Sequence, residues 1–141
     1  FGKWASQNQA KVYSVDISED SINESKKEVM AQGLENVVEL HLSDSVQFLE
    51  NFTSAVDFLY LDSYDYSDDN LEIQRKSQEH HLAEFKAIES RLHKNTIVLI
   101  DDCDLPNGGK GKLVIDYMLN KDWKIEFEKY QVLLLHQDFT I

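Results

Sequence analysis

Three short apolar runs, each ending on a carboxylate, constrain this chain more than any other feature. Phe58-Leu59-Tyr60-Leu61 stops on Asp62. Thr96-Ile97-Val98-Leu99-Ile100 stops on Asp101 and Asp102, and Val12-Tyr13-Ser14-Val15 stops on Asp16. An apolar run without polar alternation suits a strand covered on both faces, hence a parallel sheet with helices above and below. In open α/β sheets ligands bind beyond the carboxyl ends of the strands, so these acids are expected at the mouth of a site. Packing alone gives little reason for three such endings.

The segments between the runs read as helices and further strands. Ser18 is a good N-cap, Glu19 and Asp20 favour the positive end of a helix dipole, and Gly33 supplies a stop. Ile22, Val29 and Met30 fall on one face and predict a buried stripe. The pattern predicts a strand over 37–42 and a short helix with Val46, Leu49 and Phe52 on one side. Residues 64–76 are polar, a surface loop or the frayed start of a helix. A firmer helix is expected over 77–92, with Leu82, Phe85, Ile88 and Leu92 inward. After a loop at 105–109, a helix over 112–120 precedes Trp123, Ile125 and Phe127, which alternate with charged residues. That alternation and the apolar run 132–135 predict an antiparallel hairpin. The order β-α-β-α-β-α-β-α-β-β means a single α/β domain, Rossmann-like and mostly parallel, with helices on both faces and a C-terminal antiparallel hairpin.

Charge and cysteine content bear on partners and compartment. Asp and Glu outnumber Lys and Arg by 26 to 14, a formal charge of −12. Such a surface repels phosphate backbones and anionic lipid, so neither nucleic acid nor membrane is expected as a partner. The single cysteine, Cys103, permits no intramolecular disulfide, and a cytoplasmic location is expected. No apolar run approaches the roughly 18 residues of a membrane span, and no signal-peptide pattern opens the chain.

Several residues are candidates for chemistry. In nucleoside-binding α/β domains an acid at the end of the second strand accepts hydrogen bonds from ribose hydroxyls, about 20 residues beyond a glycine-rich turn. Asp16 suits that place, and the alternative is an acid that merely starts the turn at Ser18. Counting back puts the glycine turn just upstream of residue 1. The opening Phe1-Gly2-Lys3-Trp4-Ala5-Ser6 has no initiator Met and reads like the end of a helix, so an N-terminally truncated domain over 1–141 is expected. His81 lies four residues before Phe85, at the edge of the buried stripe. It is either a packed or capping histidine or a general base. Gly108-Gly109-Lys110-Gly111-Lys112 lacks the spacing of a phosphate loop and reads as a flexible turn. Cys103 has no nucleophile partner in sequence and is expected to be inert.

Val12-Tyr13-Ser14-Val15-Asp16-Ile17, Leu42-Ser43-Asp44-Ser45, the strand 57–62 and Val98-Leu99-Ile100-Asp101-Asp102 together resemble the successive strand-end motifs of class I S-adenosylmethionine-dependent methyltransferases. The closing hairpin resembles that family's reversed last strand. The resemblance implies S-adenosylmethionine as cofactor, with Asp16 on the ribose hydroxyls, Ile17 beside it, Asp44 and Ser45 by the adenine, and Asp62 next to the methyl donor. It implies transfer to an oxygen or nitrogen of a small-molecule acceptor, with Asp62 as a catalytic candidate; His81, on the general-base reading above, is the other. The catechol and caffeoyl-coenzyme A subfamilies imply a divalent cation such as Mg²⁺ on Asp62, Asp101 and Asp102, which would lower the pKa of a substrate hydroxyl. Two positions depart from that pattern: Asp102 stands where an Asn is usual, and Asp65 where a catalytic Lys is. The resemblance also implies a missing central strand between those ending at Asp16 and Asp62, without which the 141 residues would not be a stable monomer. A nicotinamide-dependent oxidoreductase would share the ribose acid, though not the hairpin or the other acids. A catalytically degenerate binding domain is the remaining alternative.

Overall fold

The fold is that of a computed structural model, which describes residues 1–140. The chain divides into two compact units, Phe1–Phe48 and a second beginning at Leu49. No helix among the described residues is long and apolar enough to cross a membrane.

The first unit opens with helix α1 (Gly2–Gln7), matching the helical reading of the first residues. Strand β1 (Val12–Asp16) follows, then α2 (Glu19–Ala31) and β2 (Val38–Leu42). Ser18 caps α2 as expected, its side chain accepting the backbone N–H of Ser21, and Gly33 leaves the helix at φ +66°. β1 and β2 pair in parallel, Val12 opposite Val38 and Asp16 opposite Leu42, so their carboxyl ends lie side by side. The stripe expected on α2 is not buried. Met30 is 57% exposed, and the unit's buried apolar residues are Ala5 and Leu34 alone among the described residues. A two-stranded sheet gives a helix too little apolar surface to cover its whole stripe.

The chain passes into the second unit within α3 (Ser45–Glu50) and continues as β3 (Val56–Leu61), α4 (Leu71–Ile88), β4 (Leu92–Ile100), α5 (Lys112–Leu119), β5 (Trp123–Glu128) and β6 (Val132–His136). The sheet order is β3-β4-β6-β5, with β3 and β4 parallel and the closing hairpin antiparallel. Leu59, Leu61, Val98, Ile100, Val132 and Leu134 meet Phe85 and Ile88 of α4 and Val114 and Met118 of α5 in one core. Phe58 and Tyr60, which point the other way, are 40% and 36% exposed. The expectation of a strand buried on both faces thus holds for one face of β3.

Helix α4 begins six residues earlier than the pattern predicts. Asn70 is its N-cap, accepting the backbone N–H groups of Glu72 and Ile73. Its first two turns carry polar residues that are nonetheless buried, Gln74 and Ser77 among them, and for that reason they read as a loop in sequence. Leu92, expected at the end of this helix, instead opens β4.

Candidate functional site

The first unit assembles one group of predicted residues at neighbouring strand ends. Asp16 closes β1, and its Oδ1 accepts the backbone N–H of Ser18 at 2.8 Å. Its Oδ2 has no hydrogen-bond partner among the described residues. The N–H of Ser43 donates to the Asp16 carbonyl at 3.0 Å, drawing the end of β2 alongside. Asp44 then starts α3, its Oδ1 accepting the backbone N–H of Gln47 at 2.9 Å, with Ser45 as the first helical residue. Ile17 is 77% exposed, a large apolar side chain with little protein around it. Asp16, Ile17, Asp44 and Ser45 are therefore gathered at one edge.

The second unit assembles the other group. Leu61 lies opposite Ile100 in the β3–β4 ladder, so Asp62 and Asp101 leave the sheet side by side, and the N–H of Asp101 donates to the Leu61 carbonyl. Between the acids stands a lysine that the sequence assigns to a flexible turn. Lys110 Nζ lies 2.8 Å from Asp62 Oδ1 and 2.9 Å from Asp102 Oδ2, on a side chain only 6% exposed. Burial alone would lower its pKa, but the hydrogen bonds it donates to the two carboxylates raise it, so the amine stays charged. Asp102 answers in kind. Burial pushes its carboxyl up, yet the bonds from Tyr130 and Lys110 hold it below the usual range. Tyr60 donates to Asp101, and burial, with that bond and the nearby acids, pushes its phenol well above the ordinary value. Tyr130 donates to Asp102, which pushes its own hydroxyl up to about 12.

The turn that carries Lys110 is built, not flexible. Gly109 takes φ +58° and sits against the Asp102 carbonyl, which also accepts the N–H of Lys110 at 3.0 Å. Gln78 of α4 donates to the carbonyls of Asn107 and Gly109, and Asn107 donates to Gln74. The lysine missing at Asp65 in sequence thus arrives at Asp62 from a different element. A lysine set among three glycines, in a chain short of bases, was the available signal.

His81 is fully buried. The backbone N–H of Ser63 can only donate, so Nε2, 3.3 Å away, carries the lone pair. Nδ1 then bears the proton and donates to the Ser77 carbonyl at 2.7 Å. Burial is the chief reason that its pKa falls below the ordinary value. With both nitrogens spent on backbone, this neutral ring has no lone pair for a substrate proton. It pins the residue after Asp62, which is the packed role of the two alternatives that the sequence left open. Burial pushes the Cys103 thiol up to about 11, away from the reactive thiolate, in keeping with the expectation.

The carboxylates do not fit a divalent ion. Asp62 Oδ1 and Asp102 Oδ2 are taken by Lys110, Asp102 Oδ1 by Tyr130, Asp101 Oδ2 by Tyr60 and Asp101 Oδ1 by the N–H of Asp102. A hard cation needs several free oxygens and no ammonium among them. Among the described residues no three acids, histidines or cysteines are grouped to hold a metal. Lys110 stands against two of the three acids, Asp62 and Asp102, on which the catechol-type resemblance implies a divalent ion.

A family profile described as "Methyltransferase domain" matches residues 1–103. No curated protein sequence matches the chain significantly. Solved structures do match. A methyltransferase homolog protein from Pyrococcus horikoshii is 19% identical with a TM-score of 0.69, over 85% of this chain and 40% of that one. An SAH-bound methyltransferase from Podospora anserina is 14% identical with a TM-score of 0.67, over 92% and 62%. An rRNA methylase from Streptococcus thermophilus is 15% identical with a TM-score of 0.60, over 89% and 73%. At these identities the likeness is one of fold, and that fold is Rossmann-like α/β. The last neighbour overturns the exclusion of nucleic acid drawn from the charge. A fold shared with an rRNA methylase is compatible with such a partner, and net charge averages over a surface whereas recognition is local.

Proposed function

This chain belongs to the methyltransferase-domain family, class I S-adenosylmethionine-dependent enzymes, and from that premise we propose that it moves a methyl group from S-adenosylmethionine to an oxygen or nitrogen of a small molecule. The observation that carries this reading is that Asp16 ends β1 opposite Leu42 of β2, with Ser43 bonded to its carbonyl just before Asp44 and Ser45. When bound, S-adenosylmethionine supplies an electrophilic methyl group on a sulfonium sulfur. Asp16 Oδ2 accepts the ribose hydroxyls, since Oδ1 is already committed to Ser18. Ile17 offers apolar surface to the nucleoside, and Asp44 and Ser45 stand by the adenine. Asp62, with Oδ1 held by Lys110, presents its other oxygen to the acceptor and receives its proton. Much of the rate comes from holding donor and acceptor in line, which needs no strong nucleophile in the protein. The lone cysteine supports a cytoplasmic location as part of the proposal.

Calorimetry with S-adenosylhomocysteine tests the cofactor site. The wild-type chain binds, and Asp16→Ala weakens binding by about 1.5–3 kcal/mol, the range for hydrogen bonds to a charged group. Equal affinity in the variant would remove Asp16 from the site. Binding of a nicotinamide dinucleotide in its place would sink the whole reading. An RNA acceptor is the second reading, favoured by the likeness to an rRNA methylase. Incubation with labelled methyl donor decides between them by whether label enters RNA or low-molecular-weight material.

A further inference from the structure

We infer that Lys110 is the resident cation of the strand-end acid cluster, standing where a divalent ion would have to stand, and that it makes this site independent of such an ion. Three observations carry the inference. Nζ lies within 3 Å of carboxylate oxygens from two different strand ends, 2.8 Å from Asp62 and 2.9 Å from Asp102, which are the two places from which an ion would draw its first ligands. The side chain is buried to 6% exposure, so the ammonium is a fixed part of the site and not a surface lysine that folds over it. The turn that delivers it is built for the purpose. Gly109 passes so close to the Asp102 backbone that no side chain fits there, and a Cβ on Gly111 would come within 2.6 Å of Cys103 Sγ and 2.7 Å of Ile115 Cδ1.

An ammonium does part of what a dication does. It neutralises charge between acids that would otherwise repel, and it orients Asp62 by holding one of its oxygens. It differs in what it leaves open. Lysine donates protons and accepts no ligand oxygen, so an acceptor cannot chelate to it through two oxygens as it could to a metal. Among the described residues Asp62 Oδ2 has only the distant Tyr60 hydroxyl, at 3.5 Å, which leaves this carboxylate oxygen of the cluster able to take a proton from an acceptor. Lys110 is a positioning residue in this account, acting through Asp62.

The test reads ion binding and needs no turnover, so it can fail without the methyltransferase reading failing. S-adenosylhomocysteine calorimetry on the same preparations reports on that reading separately. Mn²⁺ alone is titrated into the wild type, Lys110→Ala and Lys110→Arg, with the free ion followed by its paramagnetic resonance signal. The wild type and Lys110→Arg bind weakly or not at all. Lys110→Ala gains one site and binds at least about tenfold more tightly. Adding Asp102→Asn to Lys110→Ala removes that site again. If the alanine variant does not fold, Lys110→Gln, which deletes the charge and keeps a polar stem, is read in its place with the same expectation. Tight Mn²⁺ binding by the wild type that Asp102→Asn abolishes would overturn the inference. So would a folded alanine or glutamine variant that gains no site.

Discussion

A Cβ placed on Gly109 would lie 1.9 Å from the carbonyl oxygen of Asp102, and the residue's φ is +58°. Any side chain there meets backbone that cannot move without displacing Lys110 from the acids. Gly109→Ala is expected to lose at least about 1–3 kcal/mol of stability, the scale of one forced backbone conformation. Urea denaturation of the two proteins measures it, and an unchanged midpoint would show that the turn adjusts freely. His81 makes a prediction about pH. Its ordinary value is 6.5, and burial holds it lower in the folded protein. Above the unfolded value both states keep the ring neutral, and its contribution to stability is intact. As the pH falls from there toward the folded value, the unfolded chain binds a proton that the native chain refuses, and stability drops. As the pH falls below 6.5 the wild type should therefore lose more stability than His81→Gln, by up to about 1.4 kcal/mol per pH unit. Parallel curves would mean that His81 titrates alike in both states.

At the scale of elements, α4 organises the second unit with two stripes on one helix. Gln74, Ser77, Gln78 and His81, spaced i, i+3, i+4 and i+7, hold backbone of the 63–68 and 106–109 segments. Phe85 and Ile88 continue down the helix into the core, with Phe85 edge-on to Tyr117 and Trp123, each at 6.0 Å between ring centroids. One helix thus fixes the site loops and anchors itself on the sheet. Phe85→Ala should cost about 3–5 kcal/mol, the usual range for emptying a packed aromatic site. A chemical denaturation loss below about 1 kcal/mol would show that the helix is not seated as described.

The molecule as a whole is uneven in its packing. β4 is paired on both edges, by β3 and β6, over a core shared with two helices. β1 has β2 as its ladder partner, over a unit whose buried apolar side chains are Ala5 and Leu34. Hydrogen exchange should therefore be slowest at Val98 and Leu99 and much faster at 12–15. S-adenosylhomocysteine, bound at the strand ends of the first unit, should slow exchange there in proportion to its concentration over Kd. Protection of β1 equal to that of β4 without ligand would contradict the unequal packing.

The secondary structure was legible because its causes are local. Ser18 caps its own helix, the 123–135 alternation turns back as a hairpin, and apolar runs end on acids where strands leave a sheet. Parallel pairing then brings Asp62 beside Asp101, and Asp16 beside the end of β2, without further instruction. The start of α4 was not legible, because Gln74 and Ser77 are buried by distant loops and not by a periodic face of their own. Neither was the state of the acids. Three carboxylates in sequence suit a metal as well as any other cation, and the choice fell to Lys110, 48 residues beyond Asp62. Its position depends on how a glycine turn passes Asp102 and on which helix side chains hold that turn. Such a long-range meeting is decided only when the chain closes on itself.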